Sequence, residues 1–226
     1  MSAHQPDDLQ RIYHARFGQA VEYRKAVWRV LVDEFFQTYV RPDARVMDLG
    51  CGYGEFINQV RAGKKFAMDL NPDAPRWLGA DTEFILHDCS QRWPLTDGAV
   101  NVVFTSNLFE HLPHKAALGQ TLDEIRRCLA KDGLLVAMGP NIKFVPGSYW
   151  DFWDHYVPLT ELSLSEALET RGFAIDRCED RFLPYTMARG PQYPVAFLSL
   201  YLKLRLAWKF LGKQFLVIAR KPAESP

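Results

Sequence analysis

The segment ValMetAspLeuGlyCysGlyTyrGlyGluPhe, residues 46–56, sets Asp48 near the end of an apolar run, followed by glycines at 50, 52 and 54. Glycine in such a turn permits positive φ and removes the Cβ that would keep a ligand off the backbone. Taken alone, the loop also fits a tight strand-to-helix turn. Asp69 closes the next apolar run, about twenty residues on, where a carboxylate can accept both hydroxyls of a ribose. Together they imply a ligand containing a nucleoside. A dinucleotide loop of the GxGxxG type would need a small residue where this chain has Glu55, and a carboxylate at that helix start opposes a diphosphate. S-Adenosylmethionine carries an adenine, a ribose and a zwitterionic methionine but no phosphate, so the loop and Asp69 favour it over NAD.

The residues that must position this chemistry alternate between helical and strand periods, as α/β units do. Val27, Val30, Leu31, Phe35 and Tyr39 share a helical face that ends at Arg41-Pro42. Residues 46–50, 65–69, 83–88, 99–105 and 133–139 are short apolar runs suited to parallel strands buried on both faces. Leu118, Leu122, Ile125 and Leu129 mark a crossover helix that Lys131-Asp132-Gly133 should close, and a helix is expected to open at Glu55. Ser163 and Glu166 have capping-box spacing, Gly172 suits a C-terminal cap, and a strand is expected over 173–182. A helix over 195–211 and a last strand over 214–220 bring the count to seven strands.

Asp-Leu-Gly-Cys-Gly-Tyr-Gly at 48–54, Asp69, His-Asp-Cys at 87–89 and Asn-Leu-Phe-Glu-His-Leu at 107–112 are more specific together than singly. Over roughly residues 20–220 the chain resembles the class I S-adenosylmethionine-dependent methyltransferases, in particular the small-molecule type-11/type-12 group. The resemblance implies a Rossmann-like, doubly wound, mostly parallel sheet of order 3-2-1-4-5-7-6 with the seventh strand antiparallel. It also implies that Asp48, Gly50 and Gly52 hold the methionine part of S-adenosyl-L-methionine and that Asp69 takes the ribose. Asp88 should face the adenine amino group with Cys89 beside the ring, while Asn107 and Leu108 line the sulfonium end. Cys51, Gly54 and Leu70 complete the expected cofactor set, and the product is S-adenosyl-L-homocysteine. Asp88 has a second reading, a loop residue satisfying its own backbone, and Cys51 reads as an inert thiol.

The acceptor side is read from residues 139–158, which hold six aromatics between Phe144 and Tyr156. Ligands of open parallel sheets sit beyond the carboxyl ends of the strands, where this loop begins. Tyr149, Trp150, Trp153 and Tyr156 are therefore candidates for the acceptor pocket, along with His111; alternatively, the aromatics pack beneath the loop and His111 is structural. His155 is the candidate general base if the nucleophile must lose a proton. The Ser-Asn-Leu-Phe sequence after the fourth strand departs from the Asp/Asn-Pro-Pro-Tyr/Phe pattern of enzymes that methylate base or glutamine nitrogens. An oxygen or other small-molecule acceptor follows, a sugar or lipid-linked metabolite being the favoured class.

With 27 basic and 27 acidic residues, no broad positive field favours nucleic acid. The cysteines at 51, 89, 128 and 178 lack zinc-ligand spacing, so no metal is expected and reduced, cytoplasmic thiols are the natural reading. MSAHQPDDLQ is unlike a signal peptide, and the longest uncharged run is too short for a membrane span. The helix expected at 193–211 mixes apolar residues with Lys203, Arg205 and Lys209, so it either covers the sheet or touches a membrane surface. A single methyltransferase domain over 1–226 is expected, with an N-terminal helical segment (1–42), a cofactor-binding core (43–139) and an acceptor side (140–226). Two rivals remain: a non-catalytic S-adenosylmethionine-binding sensor or scaffold, and an NAD-dependent oxidoreductase. Oligomeric state is not legible in the sequence.

Overall fold

The computed structural model describes residues 21–185 and 192–223; the first twenty residues of the N-terminal segment and residues 190–191 of the long uncharged run lie outside them. In chain order the elements are α1 (Val21–Glu34), β1 (Arg45–Leu49), β2 (Lys64–Asp69), β3 (Thr82–Leu86), β4 (Val100–Ser106), α2 (Lys115–Cys128) and β5 (Leu129–Pro140). There follow α3 (Glu161–Glu169), β6 (Ala174–Glu179), α4 (Val195–Lys203), α5 (Arg205–Leu211) and β7 (Gln214–Arg220). The sheet has seven strands in the order β3-β2-β1-β4-β5-β7-β6. Its first five strands are parallel, and β7 runs antiparallel to both β5 and β6.

The apolar runs are continuous because the central strands bury both faces. Alternate residues feed two separate cores. Met47, Leu49, Val103 and Ala137 pack on one side against Leu118, Leu122 and Ile125 of α2 and Leu164 and Leu168 of α3. Val46, Val102, Phe104 and Val136 pack on the other against Val27 and Leu31 of α1 and Tyr201 and Trp208 near the chain end.

Six local expectations differ from the structure. The leading helix stops at Glu34 and passes into a 3-10 turn over Phe36–Tyr39. There Phe36 is buried against Phe104 while Phe35 stacks towards Phe182, so the two neighbouring rings need different directions. No α-helix opens at Glu55: residues 52–59 form successive turns, and Asn58 is tied by its side chain to Trp77 and Gly79. Helix α2 ends at Cys128, not at Gly133, and the positive φ of 58° at Asp132 belongs to a turn within β5, where the Asp132 N–H reaches the Lys221 carbonyl. The capping box of α3 lies three residues earlier than expected: Thr160 is the N-cap and Ser163 its partner. The expected helix over 195–211 breaks at Leu204, and β6 ends at Glu179. Gly172, with a φ of 77°, does follow α3 in the left-handed conformation that a helix terminus favours.

Candidate functional site

Asp48 and the glycine loop stand at the carboxyl end of β1, the edge at which open α/β sheets hold ligands. Gly50, Gly52 and Gly54 all have positive φ, at 72°, 53° and 72°. A Cβ on Gly50 would come within 2.9 Å of Leu108, so glycine lets the loop and the segment after β4 approach each other. Asp69 fastens this cradle to β2: one carboxylate oxygen accepts the Gly52 N–H at 2.9 Å and the other the Asn71 N–H at 2.9 Å. A carboxylate offers about four lone-pair sites, so two remain for a ligand's hydroxyls. Asn107 holds a positive φ of 52° while its N–H reaches the Met138 carbonyl, which turns β4 outward beside Leu108.

Most of these residues face one cavity of about 860 Å³, within the usual range for ligand sites. Asp48, Gly50, Cys51, Gly52, Asp69 and Leu70 line one end. Asp88, Cys89, Asn107 and Leu108 line it further along. Gly54 does not reach the cavity; its missing Cβ instead clears Leu78 and Asn58, at 2.7 and 2.8 Å. Asp88 caps its own turn through the Ser90 N–H and hydroxyl while still bordering the cavity, so both readings of it describe the same side chain. Burial, reinforced by neighbouring carboxylates, raises the Cys51 thiol far above its ordinary value, and burial pushes Cys89 up to about 12; both stay protonated.

Glu55 does not face the cavity as a bare charge that would repel a diphosphate. Arg24 of α1 reaches the Glu55 carboxylate with Nε at 2.9 Å and Nη2 at 2.5 Å, which offsets most of its charge. Both side chains border the cavity, and nothing in the sequence near Glu55 signals Arg24. Asp48 is the more telling acid. It is buried, and desolvation first, then the charges of Glu55 and Asp69, raise its pKa well above the carboxylate range despite the Ile57 N–H. Because the folded pKa exceeds the unfolded one, Asp48 supports stability at low pH and loses that contribution as pH rises through the folded value. Asp48→Asn is therefore expected to raise the melting temperature at about pH 8, with the gain vanishing towards about pH 4, while weakening affinity for a ligand that presents an ammonium group. Parallel scanning calorimetry and ligand titration check both halves. A variant with lower thermal stability and unchanged affinity would contradict them.

The other end of the cavity is built where the 3-10 turn Phe109–His111 meets the loop after β5. Tyr156 and Val157 donate backbone N–H bonds of 2.8 and 3.2 Å to the Glu110 carbonyl, clamping loop to turn. His111 Nδ1 lies 2.9 Å from the Asp154 carbonyl and 3.2 Å from its carboxylate. Burial disfavours the imidazolium of His111, but Asp154 and Glu110 outweigh it and raise its pKa. Burial pushes the Glu110 carboxyl up to about 7. His155 lies 4.8 Å from the His111 ring and stacks on Phe152.

The aromatic candidates divide by direction. Tyr149 is fully buried beneath the loop and donates its hydroxyl to the Val157 carbonyl at 2.7 Å. Trp150 and Trp153 are 58% and 86% exposed and, like Tyr156, do not border the cavity. The residues of this loop that do border it are Phe152, Asp154 and His155. Of these, only His155 was singled out by sequence; Phe152 and Asp154 were missed, as was Glu110, although adjacency in Glu110-His111 and in Asp154-His155 was the available signal.

The strand order, with the seventh strand antiparallel, is that of the Rossmann-like methyltransferase fold, and a glycine cradle faces Asp69 at its carboxyl edge. A family model described as a methyltransferase domain matches residues 20–177, and the chain belongs to that family. It is an enzyme of the methyltransferase class, and that membership implies S-adenosylmethionine as its cofactor. The search of curated proteins gave no match. Among solved structures, a SAM-dependent methyltransferase from Archaeoglobus fulgidus is 19% identical with a TM-score of 0.67, the match covering 94% of this chain and 99% of that one. A Haloferax volcanii methyltransferase, solved in complex with the Trm112 methyltransferase activator, is 17% identical with a TM-score of 0.67 over 93% and 96% of the two chains. The [4+2]-cyclase SpnF is also similar, at 17% identity and a TM-score of 0.59 over 86% of this chain and 81% of that one. At such identities the likeness is one of fold.

Proposed function

We propose that this enzyme transfers a methyl group from S-adenosylmethionine to a small organic acceptor bearing a hydroxyl, of a sugar or lipid-linked class. The observation that carries the reading is a single cavity with two chemically distinct ends, glycine-rich and acidic at one, histidine- and carboxylate-bearing at the other, joined at Asn107 and Leu108. The cofactor, when bound, supplies an electrophilic methyl on a sulfonium. Asp48, Gly50 and Gly52 would hold its amino-acid part and Asp69 its ribose, with Asp88 and Cys89 at the adenine. Displacement at carbon depends on alignment and exclusion of water, which Phe152 and the clamped loop serve. The cluster of Glu110, His111, Asp154 and His155 would orient the acceptor oxygen and help remove its proton, a role the sequence assigned to His155 alone. In this reading residues 43–139 form the cofactor half and 140–226 the acceptor half of one domain. The four free cysteines suit a reducing, cytoplasmic compartment.

The lipid-linked preference rests on the far lip of the cavity. Val195, Phe197, Leu198 and Leu211 border it. Nearby on α4 and α5, Leu206 and Phe210 are 68% and 74% exposed, interspersed with Lys203, Arg205 and Lys209. Exposed apolar side chains among basic ones suit an anionic membrane surface; among the described residues no helix is long and apolar enough to cross one. Three measurements test the proposal. Calorimetry should give S-adenosylhomocysteine binding without detectable NAD binding, and labelled cofactor should transfer its methyl to a lipid-extract component faster than to water-soluble pools. Sedimentation with vesicles containing phosphatidylserine should fall at least about threefold on Phe210→Glu, since the change removes apolar contact and adds repulsion. Cofactor binding without transfer to any pool would favour a sensor, and transfer confined to the soluble pool would remove the lipid assignment.

A further inference from the structure

We propose that Glu110, His111 and His155 form a binding site for one first-row divalent cation, of the zinc or cobalt class, at the acceptor end of the cavity. The inference deepens the methyltransferase reading and rests on it for the role of the ion, but not for its binding. Each of the three residues offers one ligand atom, and these atoms all lie within 4.8 Å of one another. A small closure would place two imidazole nitrogens and one carboxylate oxygen around an ion, the donor set of many open zinc sites.

Three features make the cluster a built site. First, its members come from two segments held in register by the paired N–H bonds of Tyr156 and Val157 to the Glu110 carbonyl. Second, His111 Nδ1 is engaged by Asp154, through the carbonyl at 2.9 Å and the carboxylate at 3.2 Å. That arrangement fixes the ring and leaves Nε2 as the available donor, the carboxylate–histidine pairing that accompanies most metal-bound histidines. Third, Glu110 is 3% exposed and, among the described residues, the cationic group beside it is the His111 imidazolium. A metal-bound histidine must be neutral, so the two buried carboxylates of Glu110 and Asp154 then need another counter-charge, and a divalent cation supplies it.

Three protein ligands leave at least one position open towards the cavity. An acceptor hydroxyl placed there becomes more acidic, as ion-bound water does. The O–H bond breaks with the proton passing to solvent, the oxygen forms its bond to the methyl carbon, and the carbon–sulfur bond breaks with its electron pair retained by neutral S-adenosylhomocysteine.

The test uses the full chain, stripped with a chelator and titrated with Co²⁺, whose visible absorption reports nitrogen and oxygen ligation. One ion per chain is expected, and Zn²⁺ should displace it and raise the melting temperature. Glu110→Gln and His155→Ala should each weaken Co²⁺ binding by more than about 100-fold, and Asp154→Asn by about 10- to 100-fold through the orientation of His111. Circular dichroism and an S-adenosylhomocysteine affinity within about threefold of wild type would show that these variants remain folded. No cobalt spectrum, or binding that survives both ligand substitutions, overturns the proposal. Should the variants unfold, the wild-type Zn²⁺-dependent rise in melting temperature decides it, its absence overturning the site. Loss of S-adenosylhomocysteine binding in a wild-type protein that still takes up Co²⁺ would instead overturn the methyltransferase reading alone.

Discussion

Gly52→Val is expected to abolish S-adenosylhomocysteine binding while leaving most of the fold intact. Gly52 sits at a φ of 53°, where a β-branched residue is a steric outlier costing about 1–3 kcal/mol. Its N–H also donates to Asp69 at 2.9 Å, so relaxing the strain would pull the loop off the carboxylate that should receive the ribose. The new side chain would stand at the cavity wall as well. Strain, a lost charge-assisted bond and steric exclusion act together, for a loss of at least about 3 kcal/mol, or about 100-fold in affinity. Asp69→Ala should cost about 1–3 kcal/mol by removing the acceptor alone. Gly54→Ala should act mainly on stability, because its Cβ would press on Leu78 and Asn58, away from the cavity. Calorimetric titration of the three variants checks the order. A folded Gly52→Val protein that binds within about threefold of wild type would show that the glycine loop is not the cofactor seat.

Tyr149→Ala is expected to have the largest effect on stability and to cost turnover through it. The ring is fully buried, and removing a buried aromatic costs about 3–5 kcal/mol, equivalent to a fall of about 10 °C in a chain of this size. The loop that Tyr149 anchors through the Val157 carbonyl carries Phe152, Asp154 and His155 into the cavity, so alignment at the acceptor end should fail before the protein unfolds. Tyr149→Phe isolates the hydrogen bond and should cost about 1–2 kcal/mol. Trp153→Ala, by contrast, removes a ring that is 86% exposed and should change stability by no more than about 0.5 kcal/mol. Thermal melts together with turnover measured below the transition separate these cases. Equal melting temperatures for Tyr149→Ala and wild type would show that the loop is held by other contacts.

The sequence alone determined the seven strands, the glycine loop and the acids at the strand ends. Each is a local property: a strand buried on both faces must be a short apolar run, and a turn at positive φ favours glycine. The expected class of ligand followed from the same local spacing, because an acid suited to a ribose, Asp69, lies at the end of the strand next to the loop. Sequence went wrong where side chains bond to distant segments, as at Asn58, which is tied to Trp77 and Gly79 where a helix was expected. Only the tertiary structure decided what lies between distant segments. Arg24 neutralises Glu55 across 31 residues, which no local pattern at either end announces. Asp154 orients His111 across 43 residues, and the cluster at the acceptor end exists only because β4 and β5 are neighbours whose loops leave the sheet on the same edge. The direction of each aromatic in the loop is likewise a matter of packing. Tyr149 is drawn under the loop, where its hydroxyl has a partner, while Trp150 and Trp153 face solvent. Composition counts such residues alike, because burial and hydrogen bonding are settled by distance through space and not by position along the chain.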